Sequence, residues 1–252
     1  MRGLAREAIR ILASRNEEQP DRLRARMDRL CEAFLSEDEE ERHVAIQNLR
    51  NEGVADTEII DHVIPEVARI LGQRWADDTL SFAEVSIGSA RLQETVRALI
   101  ARDIVPMGAV SADHLNAPRI LLIIPRPEDH TLGTFVAADQ FRRLGYAVDI
   151  IVDQHARQAA LELRKHQYVM VGLTIGGRRT LASARELVEI IRTTATRATP
   201  VVLGGSFVET ASDLKQATGV DHVAVSVRDA LEKCGLDIAR ADPSHNTMPS
   251  HE

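Results

Sequence analysis

The feature that most constrains the fold is a change of period. Between about residues 22 and 102 the apolar side chains recur at helical spacing, and from residue 119 onward they come in short β-rich runs. The runs are RILLIIP, AVDIIVD, YVMVGLT, PVVLGG and DHVAVS, separated by helix-patterned segments at roughly 133–144, 156–166, 180–194 and 208–217. Strands alternating with helices in this way call for right-handed crossovers and a parallel sheet. The expected fold is a flavodoxin-like (Rossmann-like) five-stranded α/β domain over residues 119–240. Ligands of such sheets sit at the carboxyl ends of the strands. His130, Thr174 and the pair Gly204–Gly205 each fall just after an expected strand end.

The first half reads as four helices. RLRARMDRLCEAFLS places Leu23, Met27, Leu30 and Phe34 along one face. The acidic run opening EDEEERHVAIQNLRNEG is a solvated helix start that suits the dipole, and its helix stops near Gly53. DTEIIDHVIPEVARILGQRW begins with a cap at Asp56 and carries Ile59, Ile60, Val63, Val67 and Ile70. Pro65 inside it predicts a kink or a restart. DTLSFAEVSIGSARLQETVRALIARDIV supplies the fourth helix. Short connections make these a small antiparallel bundle over residues 22–106. Residues 1–21 form a helical extension, either a partner-binding or an ordinary packing helix. Residues 107–118 form a linker, and 241–252 a disordered tail.

The bulk properties exclude some classes. A formal net charge of −7 over 252 residues weighs against general affinity for nucleic acid or anionic membrane. No apolar stretch approaches the roughly 20 residues that span a bilayer, and the apolar positions of the N-terminus are helically spaced, unlike a signal peptide. Cys31 and Cys234 stand alone without metal-type spacing, which suits small packing residues in a reducing cytoplasm.

Two familiar chemistries fail at the strand ends. A phosphoacceptor domain needs an acidic residue after its third strand, and that strand here ends VGLTIGGRR, with Thr174 in the acceptor's place. A dinucleotide site wants a Gly-rich turn after the first strand, and IIPRPEDHTLG has no G-x-G. What is left is His130, either a solvated loop residue or a metal ligand held out from the sheet. Glu128, two residues upstream, is placed to fix its tautomer, and Gly133 permits close backbone approach where the next helix begins.

Glu128-x-His130-x-x-Gly133 resembles the cobalamin-binding fingerprint, whose usual form is D-x-H-x-x-G. That family continues with an S-x-L or related stretch after the third strand and a Gly-Gly after the fourth. Thr174-Ile175-Gly176 and Gly204-Gly205 stand in those places, so the resemblance spans residues 119–235. The bundle stretch LGQRWADDTLSFAEVSIGSARLQE is similar to the helical cap that precedes corrinoid domains in methionine synthase and in light-responsive cobalamin regulators.

The resemblance implies a base-off cobalamin with His130 as the lower axial cobalt ligand and Glu128 as its hydrogen-bond partner, flanked by Asp129 and Thr131. It implies a nucleotide tail passing Thr174, Gly176, Gly204 and Gly205, with Ser206 and Phe207 as lining residues. Trp75, the single tryptophan, is either a core anchor of the bundle or the aromatic cap over the corrin, and Glu84 belongs to the same cap stretch. CarH-type photoreceptors carry W-x9-E-H there; this chain has Trp75-x8-Glu84 followed by Val85, which leaves room for a small upper ligand such as water or hydroxide. CarH-type proteins also begin with a DNA-binding domain, for which the residues ahead of this bundle are too few. The chain therefore resembles most the AerR/PpaA-type antirepressors. That implies a non-enzymatic light- or redox-responsive regulator acting on a photosynthesis repressor of the PpsR/CrtJ type. The alternative is a corrinoid carrier subunit of a methyltransferase system.

Overall fold

The computed structural model describes residues 20–103, 117–128, 131–152, 156–195, 199–209 and 211–236. Nearly all of the N-terminal extension, most of the linker, the C-terminal tail, and Asp129 and His130 lie outside the described residues. The chain divides into two compact units, residues 1–107 and 108–252.

The first unit is helical. Its elements are α1 (Pro20–Leu35), α2 (Glu39–Asn51), α3 (Asp56–Glu58), α4 (Ile64–Ala76) and α5 (Phe82–Asp103). Met27, Leu30 and Phe34 of α1 are buried, as their spacing predicts, against a core that includes Ile59, Ile60, Val63, Val67, Leu92 and Val96. Asp38 caps α2 by accepting from the Glu40 N–H at 2.9 Å, and Glu39–Glu41 fill the first turn where the helix dipole favours negative charge. Arg50 closes the α2–α3 corner by donating from Nε and Nη2 to the two oxygens of Asp56 at 2.7 and 2.6 Å.

Pro65 acts as expected. It has no N–H to offer the preceding turn, so the backbone widens into a π-helical turn over Ile59–Val63, with the Ile64 N–H donating to the Ile59 carbonyl. Helix α4 then restarts with proline in its first turn, where the missing N–H costs nothing. The fourth helix begins at Phe82, later than its apolar pattern suggests, because Ser81 and Glu84 form a reciprocal cap. The Glu84 carboxylate accepts from the Ser81 N–H at 2.7 Å and from its hydroxyl at 2.6 Å, and the Glu84 N–H donates back to Ser81 Oγ at 3.2 Å.

The second unit is the parallel α/β fold. Strands β1 (Arg119–Ile124), β2 (Ala147–Val152), β3 (Tyr168–Thr174), β4 (Val201–Gly204) and β5 (His222–Val223) form one sheet in the order β2-β1-β3-β4-β5. All four pairings are parallel. The connecting helices are α6 (Leu132–Arg143), α7 (Ala156–Lys165), α8 (Leu181–Thr194), α9 (Leu214–Thr218) and α10 (Val227–Lys233). Alternate β1 residues face opposite sides. Leu121 and Ile123 join a core with Leu163, Leu187, Val188 and Ile191, while Ile120 and Leu122 pack with Ala138, Phe141 and Leu231. Both faces are covered, which is why β1 reads as an unbroken apolar run.

The helix expected over 208–217 is replaced by a 3-10 turn at Ser206–Glu209 and the five-residue α9. Asp213 stands at the α9 N-cap with φ +61°, a left-handed conformation that interrupts any continuous helix. The last expected strand contracts to two residues at the sheet edge.

Candidate functional site

The strand order reverses between β1 and β3, and this switch point is where open α/β sheets leave a cleft for a ligand. The turns that follow β1, β3 and β4 are joined there by their own polar groups. Glu128 is buried, with 8% of its surface exposed, and its Oε2 accepts from the Gly176 N–H at 2.5 Å. The Ile175 N–H donates to the Gly204 carbonyl at 3.0 Å, and the Phe207 N–H donates to the Ile175 carbonyl at 3.5 Å. Thr174 and Gly204 are direct partners in the β3–β4 register. The three stretches found separately in the sequence therefore meet in one framework, with the β3 turn at its centre.

Gly205 is tied into that framework more tightly than its sequence position suggests. Its φ is +105°, and a Cβ built there would lie 2.2 Å from the Ile175 carbonyl oxygen and 2.9 Å from the Ile175 nitrogen. No side chain fits. The approach of the Ile175 backbone by itself demands a glycine here. Gly204 differs, because its Cβ would meet the Ala224 carbonyl oxygen at an ordinary 3.7 Å. Gly133, at the start of α6, and Gly177, after β3, have nothing among the described residues within 4 Å of a built Cβ.

Thr134 escaped sequence reasoning. It is fully buried in the first turn of α6, and among the described residues its hydroxyl has no hydrogen-bond partner. The signal was its phase, since Thr134, Ala138 and Phe141 share the buried face of α6 and a polar residue on such a face needs a partner. Thr131 stands at the N-cap of α6 without a side-chain capping bond. Ser206 is exposed and Phe207 half-buried in the 3-10 turn after β4.

In the bundle, Trp75 is 48% exposed, which removes the core-anchor reading. It lies edge-on to Phe82, with ring centroids 6.4 Å apart, and Phe82 is itself 72% exposed. Glu84 is fully engaged in the cap of α5, and the Ser81 hydroxyl, followed by the Ser81 N–H, holds its carboxyl below the usual carboxylate range. The two cysteines are free. Burial pushes the Cys31 thiol up to about 11 and the Cys234 thiol to about 11, so both stay protonated and unreactive at neutral pH.

Residues 118–234 match the B12 binding domain family. A curated relative, an uncharacterized 20.5 kDa protein in the bchF-crtJ intergenic region of Rhodobacter capsulatus, is 30% identical over 169 residues, covering 66% of this chain and 84% of that protein. The chain belongs to the B12-binding family. Its fold is that of the monomethylamine corrinoid protein of Methanosarcina barkeri, with a TM-score of 0.64 at 13% identity over 83% of this chain and 96% of that one.

The residues at the switch point fit a corrinoid. Among the described residues no three His, Cys, Asp or Glu side chains converge to hold a bare metal ion. A corrin carries its own equatorial nitrogens and asks the protein only for an axial donor. The open backbone at Gly133 and Gly177 and the unpaired Thr134 hydroxyl are the surroundings a large polar ligand would complete. No helix among the described residues is long and apolar enough to cross a membrane.

Proposed function

We propose that this B12-binding protein is a light- and redox-responsive regulator that acts through a repressor of photosynthesis genes, of the PpsR/CrtJ type, rather than by contacting an operator. The observation that carries this reading is the relative from the bchF-crtJ intergenic region, which shares 30% identity across most of its length. Glu128 in place of the usual aspartate, which resembles the light-responsive regulators more than the methyltransferases, supports the same class. His130 is the axial ligand in this proposal, with Glu128 as its hydrogen-bond partner and Asp129, Thr131 and Gly133 beside it; Thr174, Gly176, Gly204, Gly205, Ser206 and Phe207 line the tail, and Trp75 and Glu84 stand in the cap. Cobalamin, favoured in its hydroxo or aquo form with the adenosyl or methyl form as the alternative, would supply the light- and redox-responsive cobalt when bound. The protein's part includes fastening Glu128, at the end of the β1 turn, to the β3 turn through the Gly176 N–H. The protein works in the cytoplasm and carries out no catalysis of its own.

A second reading, a corrinoid carrier of a methyltransferase system, is favoured by the shared fold of the monomethylamine corrinoid protein. Purification with hydroxocobalamin and with adenosylcobalamin, in darkness and in light, separates the two. A regulator retains the corrinoid and changes its affinity for the repressor on illumination; a carrier shows no such light-dependent affinity. Retention of no corrinoid defeats both. An unchanged cobalt spectrum in His130→Ala removes the axial-ligand assignment.

A further inference from the structure

The β3 turn carries two exposed arginines that nothing so far explains. Arg178 and Arg179 follow Gly176-Gly177 in a 3-10 turn that leads directly into α8. Among the described residues neither guanidinium has a carboxylate partner or a hydrogen bond. The first turns of the 3-10 segment and of α8 contain no acidic residue, and neither start has a side-chain cap. Cations at a helix start oppose the dipole, whose N-terminal end favours anions by about 0.3–1 kcal/mol. Two exposed positive charges in that position oppose the dipole and have no carboxylate partner among the described residues.

The placement says what compensates them. Glu128 reaches the adjacent Gly176 N–H, so the arginines stand beside the switch-point cleft. Glu128 itself is turned inward and buried. Gly177 leaves open space next to Arg178. On the β1 side of the same switch point, the Thr134 hydroxyl is fully buried and, among the described residues, unpartnered, and helical side chains tilt toward the N-terminal end of their helix. Polar donors without acceptors thus stand on both sides of the reversal point.

The geometry points to Arg178 and Arg179 as the phosphate-recognition pair of this site, binding the phosphodiester in the nucleotide tail of cobalamin. This inference rests on the cobalamin reading. The phosphodiester is the anionic group of that ligand, whereas the corrin periphery presents neutral amides, so a guanidinium pair selects the complete cofactor over a tail-less corrinoid. Guanidinium forks match phosphate oxygens with paired N–H donors, and a lysine offers only a point charge.

The test titrates the full chain in the dark, by visible absorbance, with hydroxocobalamin and with aquocobinamide, which keeps the ring amides and lacks the phosphodiester. In the Arg178→Gln/Arg179→Gln double variant we expect cobalamin affinity to fall about tenfold at low ionic strength and less at high salt, where exposed charge pairs are screened. Cobinamide affinity stays within twofold of the parent, and the Arg178→Lys/Arg179→Lys variant recovers part of the loss. The ligand-free double variant melts no earlier than the parent, because the arginines oppose the helix dipole. An equal loss for both corrinoids, or undiminished cobalamin binding in the double variant, overturns the assignment. So does a variant that loses only its affinity for an acidic protein partner. If the parent chain retains neither corrinoid, the cobalamin reading itself falls, a result distinct from all of these.

Discussion

Replacing Gly205 with alanine tests whether the strand-end framework is built as described. The added methyl group meets main-chain atoms, with Ile175 O at 2.2 Å, N at 2.9 Å and C at 3.0 Å, so no rotamer change relieves it. Holding an alanine at φ +105° costs about 1–2 kcal/mol on backbone grounds. Forcing the Ile175 backbone aside adds roughly 1–3 kcal/mol, the usual range for overpacking. The combined loss is ~2–5 kcal/mol against a typical stability of 5–15 kcal/mol. With a urea dependence of about 1–3 kcal/mol per molar, the midpoint moves down by roughly 0.7–5 M. Far-ultraviolet circular dichroism follows the unfolding of the helices and the sheet, and its midpoint should shift by this amount. Gly204→Ala is the matched control, since its methyl group meets only one carbonyl oxygen at 3.7 Å and should change the midpoint little. A Gly205→Ala protein as stable as its parent, or one no weaker than Gly204→Ala, refutes the framework.

Three further outcomes follow from the same geometry. Glu128→Ala leaves the half-buried Gly176 N–H without its acceptor and should cost about 1–3 kcal/mol in urea denaturation, with Glu128→Gln, which keeps a carbonyl oxygen, losing less. Tyr168 titrates well above the usual phenol range, first because it is buried and then because its hydroxyl donates to the Asp149 carboxylate at 2.9 Å, where Arg119 also binds. A raised folded-state value means the stabilisation is full below the ordinary phenol pKa near 10 and is lost as pH climbs above it; absorbance at 295 nm should show a late phenolate step that Tyr168→Phe abolishes. Glu84 is depressed by its Ser81 contacts, so its contribution is present above the ordinary carboxylate range and fades as pH falls through its folded value. In Ser81→Ala, carboxyl titration by NMR should find Glu84 moved upward, and an unmoved Glu84 would show that the cap is not the cause.

The sequence made the architecture legible because strand and helix periods are local properties. Five apolar runs with helical segments between them leave few topologies, and the strand order follows the flavodoxin rule. The three fingerprint stretches were legible too, since each follows a strand end. What stayed hidden depends on distance in space. Gly205 owes its identity to Ile175, thirty residues earlier in the chain, and only the φ of +105° shows it. Glu128 meets Gly176 across 48 residues. Trp75 lies at the end of α4, where a helical pattern alone does not decide between core and surface, and it proves exposed. The start of α5 is the opposite case. S-F-A-E at 81–84 is the capping-box pattern, which was readable and places the helix start at Phe82.

The glutamate of the fingerprint gains a structural reason from this arrangement. A residue at position 128 must span from the β1 turn to the main chain of the β3 turn, and its carboxylate does so while buried. Aspartate is one methylene shorter and would have to draw the two turns together to make the same bond. The β3 turn in turn accepts and donates through Ile175 to the segment after β4, so a change in the length of residue 128 is felt beyond its own loop. The departure from the usual aspartate is therefore coupled to the spacing of all three turns. Glu128→Asp tests that coupling apart from charge: both residues are carboxylates, so a loss of stability comparable to Glu128→Ala would show that reach, not ionisation, sets the choice.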